Sequence, residues 1–120
     1  MKTIDLAERL ARFSDPWNPR VIGAVNDCEV KLARLEGEFC WHSHADEDEL
    51  FLVVEGRLRM RFRERDELLG PGQLIIVPRG VEHLPVAEPT CSVLLFEPKG
   101  TLNTGDVENE RTRRELERLE

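Results

Sequence analysis

The sequence predicts an all-β fold, a sandwich or closed barrel, formed by one domain over residues 1–120. Three observations predict it. From Arg20 onward the apolar residues fall in short runs, several alternating with polar ones at the two-residue period of a strand. Turn chemistry such as Glu64-Arg65-Asp66-Glu67 and Pro78-Arg79-Gly80 separates these runs. No helical stretches alternate with them, which argues against a parallel βαβ sheet. A chain of 120 residues is long enough for a single apolar core.

Taken in order, residues 3–13 read as a short helix, with Leu6, Leu10 and Phe13 on one face among Asp5, Glu8, Arg9 and Arg12. It is expected to cover the barrel or a partner subunit. Ser14-Asp15-Pro16-Trp17-Asn18-Pro19 ends it, and Trp17 is placed at a barrel end or near a substrate mouth. The barrel occupies about 20–98. Its first strands are Val21–Val25, Glu29 to Leu35, and Phe39 to His44. On the last of these, Cys40 shares a face with His42 and His44, either as pocket wall or as a small buried apolar group, and Trp41 lies opposite. Leu50–Val54 is apolar on both faces, so both faces need cover, which motivates a homodimer. Arg57–Arg63 alternates, with Leu58, Met60 and Phe62 inward and four arginines outward, paired with neighbouring carboxylates. Leu74–Val77, Val81–Val86 and Ser92–Phe96 complete the set, Pro85 marking an edge or bulge. The tail, 99–120, opens as loop and turns into a charged helix from about Glu108 whose few apolar residues, Leu116 and Leu119, let it dock weakly or fray.

Composition narrows the function. The 17 basic against 24 acidic residues leave a net charge of −7, which disfavours nucleic acid and anionic membrane surfaces as partners. Charges in the first nine residues stand where a signal peptide needs an apolar run, and the three cysteines show no Cys-x-x-Cys pairing, so free thiols and a cytoplasmic location are expected.

The chemistry concentrates in the three histidines, His42, His44 and His83. Two residues apart on a strand, His42 and His44 point the same way, about 6.5–7 Å apart along the backbone, and can lean onto one ion. Ala45-Asp46-Glu47-Asp48 reads as a hairpin loop, after which the chain returns on an adjacent strand with Glu49 facing the histidines. Asp48 is the alternative carboxylate. The turn at Pro78-Arg79-Gly80 lets His83 come back to the same face. Three imidazoles and one carboxylate form a mixed nitrogen and oxygen set of borderline hardness, suited to Fe, Mn, Co, Ni, Cu or Zn rather than Mg or Ca.

Gly37-x4-His42-x-His44-x4-Glu49-x6-Gly56 resembles the first motif of the cupin family, and Gly72-x5-Pro78-x-Gly80-x2-His83 resembles the second. The motif glycine at 37 stands one residue closer to the histidines than usual, and Ala87 replaces an Asn often found there. The resemblance implies a small jelly-roll barrel, a double-stranded β-helix, in which His42, His44, Glu49 and His83 bind one divalent transition metal. It implies a small-molecule substrate or ligand, and either an enzyme or a binding module. A redox metal gives a dioxygenase, and a Lewis-acid metal an isomerase or lyase. No catalytic residue beyond the ligands is evident: there is no tyrosine and no further histidine, which leaves oxygen chemistry slightly ahead of proton-shuttling isomerisation.

Overall fold

A computed structural model describes all 120 residues. The helix expected over 3–13 is confined to α1, Leu6–Leu10. Asp5 caps it by accepting a hydrogen bond from the Glu8 amide. At the other end the Arg34 guanidinium donates to the carbonyls of Leu10 at 2.6 Å and Phe13 at 2.8 Å, so that end is held by a side chain rather than by more helix. Leu10 and Phe13 pack on Ile22 and Leu32, which makes α1 the cover of one outer sheet face, as expected.

The strands are β1 Arg20–Val25, β2 Cys28–Glu38, β3 Glu49–Arg61, β4 Asp66–Leu69, β5 Leu74–Val77 and β6 Leu84–Pro98. All pairings are antiparallel, in the order β1-β2-β6-β3-β4, with β5 added to β3. Two pairs of expected short strands are single long ones. Leu50–Val54 and the arginine row as far as Arg61 belong to β3, bent by irregularities between Val53 and Glu55 and between Gly56 and Leu58, while Arg63 lies beyond its end. Likewise the two runs after His83 form β6, which contains Pro85 in register with Met60. These bends curl the sheet into a jelly roll. Its interior holds Ala33, Leu35, Phe51, Val53, Leu58, Met60, Val93 and Leu95, the inward half of each strand's alternation.

Outside, Arg59 pairs with Asp66 and Glu88, Arg61 with Asp66, and Arg63 with Glu82, as the acidic balance suggests. The outward residues Leu50, Leu52 and Phe96 are half-buried, while Leu74 and Ile76 of β5 are more than half exposed. Cover on that face is therefore incomplete beyond α1.

Two local expectations are corrected. Phe39 to His44 is not a regular strand; only His42 forms a bridge, with His83. Nor is there a C-terminal helix: the tail runs as turns and extended chain. Two leucines give a helix there no apolar stripe to bury. Instead the chain satisfies the free edge of β1, Val21 donating to the Glu117 carbonyl at 3.0 Å and accepting from the Leu119 amide at 2.8 Å. No helix is long and apolar enough to cross a membrane.

Candidate metal centre

His42 and His83 face each other across their bridge, each donating its backbone amide to the other's carbonyl, at 3.1 and 2.9 Å. Their rings lie 4.3 Å apart, and His44 sits 5.1 Å from His42. Glu49 opens β3, the strand after the loop as expected, but pairs there with Val77 of β5 rather than with the histidine segment, so the expected hairpin does not form. Its Oε1 stands 3.3 Å from His44 Nε2 and 3.4 Å from His83 Nε2. One donor atom from each of the four residues falls within 4.8 Å of the others, and all four side chains are buried. Asp48 is exposed and held by Arg79, away from this group.

The tautomers follow from the neighbours. Nδ1 of His42 lies 2.9 Å from the Cys40 carbonyl and Nδ1 of His83 lies 2.9 Å from the Val81 carbonyl. A carbonyl only accepts, so Nδ1–H donates and Nε2 carries a free lone pair toward the centre. Nε2 of His44, Nε2 of His83 and Oε1 of Glu49 are buried with no hydrogen-bond partner. Such orphaned atoms are costly in a low-dielectric interior, and here they converge on one point. Burial, helped by the proximity of His83, lowers the His42 pKa to about 4, which keeps that ring neutral and able to coordinate at physiological pH. Burial pushes the Glu49 pKa up, but contacts from Glu97, His44 and His83 more than offset it and hold the carboxyl ionised. The residues fit a cation of intermediate hardness.

Beside the ligand set lies a narrow cavity of about 40 Å³, lined mainly by Trp17, Phe39, Phe51 and Leu95, with Glu97 and Asn103 as further polar groups. Trp17 stacks on Phe39 at 4.5 Å, so it belongs to the pocket wall. A wider groove of about 380 Å³ between Arg34, Glu55 and Ser92 is on the outer surface and includes none of the four residues. Cys40 is half-buried, its sulfur 3.8 Å from the Asn109 amide nitrogen, and takes no place among the donors.

Three features escaped the sequence reading. Lys31 and Glu97 form an ion pair at 2.8 Å, fully inside the barrel. Burial and the charge of Glu49 push the Glu97 pKa well up. The signal for both was parity: each sits two residues from an inward apolar position, Ala33 and Leu95 respectively. The third feature is the segment after Thr101, which straps the histidine loop. Asp106 accepts from the Ser43 amide at 2.8 Å and donates its own amide back to the Ser43 carbonyl, while Gly105 packs so tightly that a Cβ would fall 2.2 Å from that carbonyl.

Fold and site together define a small antiparallel barrel with a mixed imidazole and carboxylate cluster open to an apolar lumen. The chain belongs to the cupin family: residues 28–96 match the Cupin_2 model, described as "Cupin domain". It is 43% identical to a cupin-2 domain containing protein from Shewanella frigidimarina, covering 80% of this chain and 94% of that one at a TM-score of 0.79. It is 30% identical to NMB1881 from Neisseria meningitidis, covering 82% of this chain and all of that one at a TM-score of 0.75. An uncharacterized protein of Bacillus subtilis, YdbB, is 38% identical over 80 residues, which span 66% of this chain and 65% of that protein.

Proposed function

We propose that this chain is a metal-dependent enzyme acting on a small molecule, with His42, His44, Glu49 and His83 as the metal ligands and oxygen chemistry as the leading activity. The observation that carries this reading is the convergence of four buried donor atoms, three of them without partners, beside a small apolar cavity. A redox ion (iron, manganese, nickel or copper) would supply O₂ activation at its open positions, whereas zinc would supply Lewis-acid polarisation. Four protein ligands leave about two of six octahedral positions free.

The chain's own contribution is positioning and exclusion of water. The carbonyls of Cys40 and Val81 fix two imidazoles in the coordinating tautomer. Trp17, Phe39, Phe51 and Leu95 present apolar walls that favour a small substrate body and a poorly hydrated gas molecule over water. Asn103 and Glu97 offer the polar contacts that orient it. The test is O₂ consumption by iron-loaded protein across a panel of small phenols, diols and thiols. Turnover with any of them supports the reading; tight binding with no turnover under O₂ makes the chain a binding module.

A Lewis-acid isomerase or lyase is the second reading. The observation favouring it is Glu97, a carboxyl in the lumen outside the ligand set whose pKa burial and the Glu49 charge push well up, toward the range a general acid needs. Zinc as the resident metal, with deuterium exchange into a substrate, would favour this reading. We also place the protein in the cytoplasm as a homodimer, from its free thiols and the uncovered Leu74 and Ile76.

A further inference from the structure

Lys31 and Glu97 are each about 2% exposed at the side chain, with Nζ to Oε1 at 2.8 Å. Burying such a pair stabilises a fold only when every remaining lone pair is matched. Here it is not, since Oε2 of Glu97 has no hydrogen-bond partner. The pair is a poor stabilising device, and its place in the sheet supplies another reason for it. Three neighbouring strands bring three inward residues together: Lys31 on β2, in register with Leu95 and reaching diagonally to Glu97 on β6, and Glu49 on β3. Leu50 is in register with Phe96, so Glu49 stands opposite Glu97, one step further along and on the same inward face. His42 and His83 each have a backbone carbonyl to orient them. Glu49 has no hydrogen bond from the backbone.

We propose that Lys31 and Glu97 are positioning residues, a buried strut across β2, β6 and β3 that holds the Glu49 carboxylate toward the three imidazoles. The inference rests on the metal reading of the site. Lys31 fixes one oxygen of Glu97, and the rest of that carboxyl limits the rotation of Glu49. Without the strut Glu49 keeps its place on β3 but loses its aim, and a metal loses its only anionic ligand in part of the population.

The experiment is a Co²⁺ titration of chelator-stripped full-length protein, followed by visible d–d absorption and competition with a chromogenic chelator. Wild type is expected to take one equivalent with a single spectrum. The double variant Lys31→Met/Glu97→Leu is expected to bind about tenfold to a hundredfold more weakly, the usual loss for a partner behind a ligand, with a shifted d–d band. Its metal-free Tm should not fall, because apolar replacement of a buried pair is often neutral or stabilising. Glu97→Gln, which still accepts from Lys31 and can donate to Glu49, should restore the wild-type spectrum and most of the affinity. A double variant with wild-type affinity and spectrum overturns the inference. So does Glu97→Gln behaving like the double variant, or an affinity loss that only tracks a fall in metal-free Tm. If wild type itself takes up no cobalt, the metal reading fails instead, and the strut fails with it.

Discussion

At His42 the interior works against charge, and this has a consequence for the metal-free protein. Its pKa is near 4 in the fold against about 6.5 when exposed. Between those values the unfolded chain binds a proton that the fold refuses, so stability is intact above pH 7 and falls as pH drops through 6.5 toward 4. One group shifted this far accounts for about 3 kcal/mol at most. Urea unfolding of chelator-treated protein at pH 7.5, 6 and 5 should show this loss, and His42→Gln should flatten that part of the curve. Equal slopes for the two proteins would contradict the account. The four proposed ligands were legible from their close spacing and the two turns around them, which are local features, although 39–44 is not the regular strand that the alternation argument assumed. Glu49 was separable from Asp48 by its position at the start of an apolar run, and the structure puts Asp48 on Arg79 at the surface. Lys31 and Glu97 were passed over: parity with Ala33 and Leu95 turns both inward, but a lone charge in a strand ordinarily faces solvent, and only the long-range pairing of β2 with β6 brings the two charges together.

Among the elements, β3 depends on one glycine. Gly56 has φ +83°, and a Cβ there would lie 2.3 Å from the Thr90 carbonyl of β6. Gly56→Ala therefore strains both strands at the bend that curls the sheet, with an expected cost of about 2 kcal/mol or more, read from the urea midpoint. An unchanged midpoint would show that the bend relaxes freely. The same Gly56, after Glu55, made one bent strand look like two, since a bulge and a turn share their local chemistry. The tail failed differently. Its charge pattern permits a helix, but docking along the β1 edge decides its conformation, and no sequence window contains that edge.

For the whole molecule, the all-β fold was legible from period-two patterning and turn residues. What the pattern left open was which apolar surfaces meet. The inner one closes on itself. The outer one is covered by α1 around Ile22 and Leu32 and left open at β5, where Leu74 and Ile76 are 54% and 57% exposed. A second copy on this face would explain Leu50–Val54 being apolar on both sides. Sedimentation at micromolar concentration should give a dimer, and Ile76→Asp a monomer with its metal retained. Wild type sedimenting only as a monomer would remove the dimer.

The central claim is that His42, His44, Glu49 and His83 hold one transition-metal ion. Elemental analysis of untagged protein never exposed to chelator, alongside His83→Ala prepared in the same way, tests it most directly. Wild type is expected to carry about one equivalent of iron, manganese, nickel, copper or zinc and the variant little, with the barrel still folded in both. Wild type without metal and taking none up on soaking, or His83→Ala with near-full occupancy, would contradict it.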